Sequence, residues 1–588
     1  MHIPIKSLLI GMLACSAMVA CTNTDEPEVD NGSAKGNEYY VSVAFSMPGN
    51  TSSRALGETP TFEDGTEDEL AVKSVTFFFM NANGQSCADA FTLPNVENLK
   101  TWAGVDTEGK VNVDAESSPV IVMRNATEVP SSIVAILNTT LPTTIDKERP
   151  SLTDLQGVIA NYATSTYNSF DKDAGMVMSS TSYKDNNGDL VIGAPVSITN
   201  IYEDRDKLTN ALKGDKATAA MIPVVIPVEK VLAKVHVVKD ENFAITEGST
   251  TLGSLTDAGE NATTTTENVE LTVHIDGWWL DSTPTDSYLL KNMGFTGLTN
   301  SWWNDVANKR SYWAKSSESA NYYNYAYKLW AENEADLYCQ ENTLNNEIEA
   351  EDNDNVDDKN QRTKVVVAAT LLNDGEPVSL VKWFGQYYTE AGFKATVANL
   401  SDVKKYYKKT SAEGVTPETY ESLGVEDFEI VYNTDKTTNS EANTGTQDDI
   451  IIDDKEIRNY EAAVKISYDG DIYTYNNGVA TVVEEEDLDD VENEILKITR
   501  MQYWNAGSTY YFVELEHSES DAAAKYGIVR NHLYNLTLNG VKGLGTPVPN
   551  PEKIIIPEKP GDSDMDTYIS AKIEILSYRV VSQGVTLQ

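Results

Sequence analysis

The residues that could bind a metal or act as nucleophiles are few and far apart. The chain has five histidines and four cysteines in 588 residues, and no two histidines lie three to five positions apart. Short spacing of such ligands is typical of zinc sites, and the sequence has neither a Gly-x-x-x-x-Gly-Lys phosphate loop nor a Gly-x-Ser-x-Gly turn. We therefore expect no metal, no cofactor, no catalytic residue and no enzymatic activity.

Carboxylates are so abundant that no single pair of them indicates a catalytic site. Calcium could bind at Asp171 and Asp173 or at the acidic run 484–494, yet neither has the spacing and glycine of an EF-hand loop. Solvated surface loops are the favoured interpretation of both. Cys87 and Cys339 are isolated in the sequence, and we expect two unpaired, buried thiols rather than a disulfide.

The overall charge argues against two classes of binding partner. Lys and Arg number 45 against 91 Asp and Glu, so the formal net charge is −46. Binding to nucleic acid and to anionic membranes depends on clustered positive charge, so we expect no nucleic-acid partner. With 40% hydrophobic residues, the chain can fold into two to four domains. This composition favours an exported surface protein over an enzyme.

The first residues predict export. An apolar run over residues 8–20 follows Lys6 and is too short to cross a bilayer of about 30 Å, so residues 1–20 are interpreted as a signal peptide. The run ends at Ala20-Cys21, and a polar, acidic stretch follows. This junction is similar to the lipobox of bacterial lipoproteins, in which the cysteine is acylated, so we expect lipid on Cys21. A plain cleaved signal with an incidental cysteine is the alternative.

The first segment after this tether has the alternation of a half-buried strand. It covers residues 40–47, and its apolar face carries Val41, Val43, Phe45 and Met47. A loop rich in Gly, Asn and Ser follows and contains Arg54-Ala55. Such a loop is expected to be exposed and accessible to proteases.

The remaining chain up to residue 541 is predicted to be mainly β. Alternating segments are separated by loops rich in Thr, Asn, Asp and Gly, a pattern typical of antiparallel sandwiches with long connections. One helix is predicted over 152–162, with Ser151 as its N-cap. A cluster of Trp and Tyr residues between 278 and 330 could bind sugars or a protein if exposed. Burial beneath a large loop is the favoured interpretation.

The C-terminal segment combines a stiff arm with a strand. Prolines recur between residues 547 and 560, which predicts an extended linker. The apolar positions beyond it change phase and are Ile569, Ala571, Ile573, Ile575, Leu576, Tyr578 and Val580. The phase change predicts a bulge or two consecutive short strands. A strand on such an arm can pair with its own domain or with another molecule.

Several motifs in a fixed order resemble those of the Bacteroidales fimbrillins, the type V pilins, and among them the major subunit of the minor fimbrium. Besides the lipobox they are GMVMSS at 175–180, IPVEKVLAKVHVV at 226–238, YCQENT at 338–343, WFGQYY at 383–388 and GIVRNHLYNLTLNG at 527–540, followed by KGLG at 542–545. The resemblance extends over essentially the whole chain. It implies a mainly β fold of two tandem antiparallel β-sandwich domains, transthyretin-like or Greek-key, with long loops and a few short helices.

The resemblance also implies a domain organisation and a maturation route. The organisation is a signal peptide 1–20, a lipidated propeptide 21–54 with strand 40–47, an N-terminal sandwich 55–225, a C-terminal sandwich 226–546, and a Pro-rich arm with a donor strand 547–588. In this family an arginine-specific protease removes the lipid and the first strand, and Arg54-Ala55 matches that cleavage position. The strand with Val41 and Val43 would thus plug a groove that later accepts the alternating tail of the next subunit.

The expected function is therefore a structural subunit of a fimbrial shaft that supports adhesion and biofilm formation. The expected partners are identical subunits head to tail, accessory tip and anchor proteins, the maturation protease, and host or bacterial surface receptors. The precursor is expected in the outer membrane and the mature form in the surface fimbrium. A tip or anchor subunit, or a monomeric glycan-binding surface lipoprotein that uses the Trp cluster, is the alternative.

Overall fold

In a computed structural model, the protein is built mainly from β-strands, as the sequence predicts. The structure describes residues 37–46, 65–94, 104–105, 111–112, 120–163, 169–184, 189–204, 207–208, 224–246, 249–255, 264–293, 313–317, 322–323, 336–343, 362–401, 403–432, 451–452, 455–456, 461–484, 499–517, 526–551, 568–576 and 581–583. Within these ranges, none of the helices has the length and apolar character of a membrane span.

The N-terminal part contains thirteen of the described strands and short helices between them. The strands are β1 (Asn37–Ser46), β2 (Ser74–Met80), β3 (Phe91–Pro94), β4 (Gly104–Val105), β5 (Val111–Asn112), β6 (Val120–Ala126), β7 (Ser132–Leu137), β8 (Ile159–Ala160), β9 (Met178–Ser180), β10 (Ser182–Lys184), β11 (Leu190–Ile192), β12 (Ala194–Pro195) and β13 (Val224–Lys230). The helices are α1 (Glu67–Leu70), α2 (Leu152–Gln156) and a 3-10 turn at Ile198–Asn200.

Eight of these strands form one sheet around a single core. The strand order is β3-β2-β7-β9-β13-β1-β6, with β12 beside β7. Alternate apolar residues of these strands meet on the inner face, where Phe77, Ile133 and Ile226 are fully buried. The outer face of β2 and β7 packs against Leu155 of α2 and against Leu289, which lies in the C-terminal part of the chain. The two parts of the molecule therefore share a hydrophobic contact.

The predicted helix over 152–162 is shorter in the structure. Ser151 caps it as expected, since its hydroxyl accepts the Asp154 backbone N–H at 3.1 Å, but α2 ends at Gln156. Beyond Gly157, strand β8 pairs with residues 287–288 instead. Pairing with a distant segment overrides the helical periodicity of the local sequence.

The C-terminal part contains the remaining strands. They are β14 (Leu232–Thr246), β15 (Ser249–Leu255), β16 (Thr264–Asp281), β17 (Thr283–Pro284), β18 (Ser287–Tyr288), β19 (Tyr322–Tyr323), β20 (Asp336–Gln340), β21 (Lys364–Asn373), β22 (Glu376–Pro377), β23 (Leu380–Trp383), β24 (Gln386–Thr389), β25 (Tyr406–Lys409), β26 (Tyr420–Ser422), β27 (Phe428–Tyr432), β28 (Ile451–Ile452), β29 (Lys455–Glu456), β30 (Glu461–Ile466), β31 (Ile472–Asn476), β32 (Val479–Val482), β33 (Thr499–Trp504), β34 (Ser508–Glu514), β35 (Leu533–Lys542), β36 (Thr546–Pro547), β37 (Tyr568–Leu576) and β38 (Val581–Gln583). The helices are α3 (Glu390–Ala398) and 3-10 turns at Val425–Asp427 and Asn505–Gly507.

Two sheets of this part pack face to face. One has the order β20-β14-β35-β37-β38, and the other runs from β27 through β16, β21 and β34 to β36. Their facing residues form one core, in which Val235, Trp278 and Tyr534 are fully buried. Three of the described strand pairs are parallel rather than antiparallel, namely β1 with β13, β14 with β35, and β15 with β24. The sandwich architecture is as predicted, and its sheets are mixed.

The structure also shows features of domain organisation that the sequence did not indicate. The whole of β13 pairs within the first sheet, so that sheet extends to Lys230, beyond the boundary placed after residue 225. A third core is formed by α3 together with strands from β23 to β33, and Phe393, Val464 and Met501 lie in it. This subdomain extends one end of the larger sheet, because β23, β24, β27, β30 and β33 belong to that sheet.

Candidate functional site: the β1 slot and the C-terminal strand

Strand β1 lies inside the first sheet and has neighbours on both sides. Val41 pairs with Ile121 of the antiparallel β6, and Val43 pairs with Val224 of the parallel β13. Tyr40 exchanges two backbone hydrogen bonds with Tyr202, at 2.7 and 2.9 Å. Without β1, the facing edges of β13 and β6 would therefore present unpaired backbone groups.

The side chains of β1 fill the first core as their alternation predicts. Val41 and Val43 are completely buried, and they lie in the same core cluster as the inward residues of β2 and β7. Burying a Val side chain contributes about 1.5–3 kcal/mol. The backbone of Phe45 pairs with Ile226, whereas Met47 lies outside the described residues. Val41 and Val43, two of the four expected plug positions, are thus part of a strand that completes the core.

The predicted processing sites lie outside the described residues. This holds for Cys21, Arg54 and Ala55. The described chain resumes at Gly65 and enters α1, where the Thr66 hydroxyl accepts the Glu69 N–H at 3.3 Å and the Glu69 carboxylate accepts the Thr66 N–H at 2.8 Å. The first described residues after the processing loop therefore form a capped helical turn.

The C-terminal strand pairs with its own domain. β37 runs antiparallel to β35, and its register places Ile569 opposite Val541, and Ile573 opposite Leu536. The short β38 pairs with β37 in turn. Tyr578 and Val580 lie outside the described residues. Pairing with its own domain is one of the two alternatives that the sequence leaves open, and it occurs here because β35 offers an edge on which β37 extends the sheet.

Charged residues are buried where the two parts of the chain meet. Glu69 and Lys230 of the first part are fully buried, with Nζ of Lys230 3.4 Å from Oε2 of Glu69. Lys234 of β14 lies 3.2 Å from Oε1 of the same carboxylate and 2.8 Å from Asp336. Tyr338 of β20 also donates to Glu69. One carboxylate of α1 therefore contacts both sides of the junction.

Two further buried ion pairs lie at the same junction. Glu229 of β13 and Lys291 are both fully buried, with 2.7 Å between Oε2 and Nζ. Burial raises the pKa of Glu229, while Lys291 and Arg530 act in the opposite direction. Arg530 is also fully buried and contacts Glu341 at 3.2 Å. Opposite charges therefore lie next to one another here, as buried charges require.

Two of the motifs that carried the family resemblance meet at this junction. Arg530 lies in the motif at 527–540, and Glu341 in the motif at 338–343. The guanidinium also donates to the Leu289 carbonyl at 3.2 Å and to the Tyr288 carbonyl at 2.8 Å. These motifs thus specify contacts between distant segments. Sequence reasoning used them only as family markers and missed that role.

Where the structure gives their burial, the tryptophans of the aromatic cluster and the two cysteines Cys87 and Cys339 lie in the protein interior. Trp278, Trp279 and Trp313 are buried, so burial is confirmed for these members of the aromatic cluster. Cys87 and Cys339 are free and buried, as expected. Across the described parts of the chain, no group of three or more His, Cys, Asp or Glu side chains could hold a metal ion.

Because His517 is buried, we expect the free energy of unfolding to decrease at acidic pH. Burial lowers the pKa of His517 from 6.5 to about 3, and its Nδ1 lies 2.8 Å from the Tyr534 hydroxyl. The unfolded state takes up this proton below pH 6.5 and the folded state only near pH 3, so stability is lost as the pH falls between these values. We expect His517→Phe to remove about 1.4 kcal/mol per pH unit of that slope.

The measurement is urea unfolding at several pH values between 6.5 and 3.5. The exposed His274 provides the control, because His274→Gln changes a histidine outside the core. Equal pH slopes for His517→Phe and the unsubstituted protein would contradict the prediction.

Comparison with known proteins identifies the last segment. Residues 502–583 match the family described as major fimbrial subunit protein type IV, fimbrillin, C-terminal. The match includes the C-terminal strands β34, β35 and β37. No curated protein sequence matches the chain.

Several solved structures resemble the chain over most of its length at low sequence identity. A candidate cell adhesion protein of Parabacteroides distasonis is 11% identical, with coverage of 94% of this chain and 99% of that one and a TM-score of 0.34. Another of Bacteroides eggerthii is 9% identical, with coverage of 94% and 98% and a TM-score of 0.32. The tip fimbrial protein Mfa3 of Porphyromonas gingivalis, truncated at its C-terminus, is 9% identical, with coverage of 91% and 99% and a TM-score of 0.27.

The family assignment depends on the sequence match alone. That match contains Arg530 and the strands that pair around it, so it covers the same segment that carried the strongest sequence motif. The fimbrillin resemblance is thereby confirmed over residues 502–583, which match the C-terminal region of fimbrillins.

Proposed function

We propose that this protein is a non-enzymatic structural subunit of a fimbrial shaft that polymerises by strand exchange. It is exported as a lipoprotein through Cys21 to the outer membrane and is cleaved between Arg54 and Ala55. Cleavage releases the segment that contains β1. The tail of a neighbouring subunit then enters the slot between β13 and β6.

The observation that carries this proposal is the position of β1. A strand that precedes the Arg54 loop lies between two other strands and buries Val41 and Val43. Its loss opens a slot that has an apolar floor and unpaired backbone on both walls. An incoming strand with alternating apolar residues satisfies both requirements.

The tail supplies such a strand. The segment with Ile569, Ala571, Ile573 and Ile575 already adopts β-structure in β37. Sixteen residues, 552–567, lie between the described residue Pro551 and β37, and this stretch includes most of the Pro-rich arm. An extended chain spans about 3.3 Å per residue, so the arm has the length to reach a neighbouring molecule. A contact from tail to slot is head to tail and propagates into a filament.

The surface fimbrium formed in this way would support adhesion and biofilm formation. Accessory tip and anchor proteins would complete it, and its targets would be host or bacterial surface receptors. The buried Trp278, Trp279 and Trp313 are not available to stack on sugar rings, which argues against the glycan-binding alternative.

Substitution of the processing arginine tests the proposal. We expect Arg54→Ala to accumulate a lipidated precursor and to abolish SDS-resistant ladders, because β1 would continue to occupy the slot. N-terminal sequencing of the surface protein checks the cleavage position, and Arg124→Ala, which changes another exposed arginine, is the control. Ladders from Arg54→Ala at the level of the unsubstituted protein would exclude processing at this site.

A further inference from the structure

The release of β1 would leave β13 weakly supported. β13 pairs with β1 over residues 224–227 and with β9 over residues 228–230. Once β1 has left, the first half of β13 would keep few strand contacts, yet it must hold its position as a wall of the slot. Support must therefore come from the C-terminal end of β13, where Lys230 lies.

That end of β13 is held by a carboxylate from the segment after the processing loop. Lys230 at the end of β13 and Lys234 near the start of β14 both contact Glu69, at 3.4 and 3.2 Å. Only Val231 separates β13 from β14. Glu69 thus contacts the wall of the slot and the first strand of the second sandwich through a single carboxylate.

The contacts of Glu69 with the two lysines are buried and do not belong to the solvent-exposed surface. Glu69 and Lys230 are completely buried, and Lys234 is 3% exposed. The capping box of Thr66 orients the carboxylate, and Tyr338 donates a further hydrogen bond to it. A buried carboxylate interacts with two ammonium partners in a low dielectric, so removing its negative charge weakens the compensation of Lys230 and leaves Lys234 with its carboxylate contact to Asp336.

The following residues are anchored independently to the first sheet. Asn138 accepts the Lys73 N–H at 2.7 Å and donates to the Ala71 and Met176 carbonyls at 2.8 and 2.7 Å. The segment from Ala71 onward therefore stays on the first sheet without help from Glu69. What Glu69 adds is the connection from this segment to β13 and β14.

We propose that Glu69 is a positioning residue for strand exchange, which retains the new N-terminal segment and keeps β13 in place while the slot is empty. This inference rests on the proposed function, since it concerns the state between cleavage and polymerisation. It predicts that the role of Glu69 becomes visible chiefly after β1 has been released.

Hydrogen exchange of the full precursor, before and after cleavage by an arginine-specific protease, tests the inference. In the unsubstituted protein, we expect peptides covering 66–72 and 224–234 to stay protected after cleavage. In Glu69→Gln, their exchange should become at least about tenfold faster after cleavage, because the ion pairs that join the 66–70 segment to Lys230 and Lys234 are lost. Exchange in β21, within the second sandwich core, should not change.

The same helix offers a matched control. Glu67→Gln removes the same charge from an exposed position two residues away and should behave as the unsubstituted protein. Tyr338→Phe keeps all charges and removes one hydrogen bond to Glu69, so we expect a smaller acceleration. If Glu69→Gln fails to fold, Tyr338→Phe still tests the role of Glu69.

The outcomes separate this inference from the proposed function. Cleaved Glu69→Gln and Glu67→Gln with equal exchange at 224–234 would overturn the role of Glu69, even if both polymerise. An acceleration that is equal in β21 would also overturn it, because it would reflect a general loss of stability. Failure of the unsubstituted protein to release residues 37–46 on cleavage would instead contradict the proposed function.

Discussion

Replacing Ile573 and Ile575 by Asp is expected to abolish polymerisation while leaving a folded subunit. In the proposed filament these side chains enter an apolar slot, and each buried, unpaired carboxylate costs several kcal/mol. Even about 4 kcal/mol for the pair weakens assembly roughly a thousandfold. The subunit itself should fold, because β14, β16, β21, β34 and β35 already form the core of the second sandwich.

Ladders in SDS gels and filaments in electron micrographs report the polymer, and near-UV circular dichroism reports the fold. Lys572→Glu changes the net charge by the same two units at an intervening position of the strand, so it should polymerise nearly normally. A double variant that forms ladders as the unsubstituted protein does would show that this tail is not the donor strand.

The second large effect is expected from Val43→Asp in the precursor. Val43 is completely buried in the first core, so a carboxylate there must either be desolvated or expel β1 from the sheet. We expect a loss of several kcal/mol, which lowers the midpoint of thermal unfolding of the first domain by roughly 10 °C. Val43→Ala should show a smaller loss, since it removes apolar contact without adding a charge.

Differential scanning calorimetry of the precursor measures this effect, and Glu38→Ala at an exposed position of the same strand is the control. A thermal midpoint of Val43→Asp within about 1 °C of the control would contradict the burial of this side chain. The mature subunit would lack residue 43 altogether, so the defect should be confined to the uncleaved protein.

The strands that matter most could be predicted from local alternation. The apolar face of Val41 and Val43 and the alternating tail both have period two, and both segments form strands. The pattern also indicated that the tail can pair with its own domain or with another molecule, but it did not distinguish between the two. That choice depends on β35, whose free edge is a property of the assembled sheet rather than of the tail.

The buried charges could not be assigned a role from the sequence. Glu229, Lys230 and Lys234 interrupt an otherwise apolar stretch of strand, which is the one local signal of their burial. Their partners Glu69 and Lys291 lie in segments about 60 to 160 residues away. Without an indication of which segments meet, such residues look like the solvated face of an amphipathic strand.

The third core was missed for a related reason. Phe393 in α3 and Met501 in β33 belong to it, and they are separated by long acidic and polar stretches. Those stretches were interpreted as loops of a single sandwich. Strand pairing across them, rather than any local motif, creates the additional subdomain.

The parallel pairing of β14 with β35 sets an order of events while the chain is being synthesised. Lys234 pairs with Leu533, about three hundred residues further along the chain. Contacts between residues so far apart in the sequence form slowly. The strands of the first sheet lie within residues 37–230, so this sheet can form while later residues are still being synthesised. Until β35 has been synthesised, the edge of β14 that it will occupy has no strand partner. Unpaired strand edges promote aggregation, so a chaperone that binds unfolded chains would be most useful in this interval.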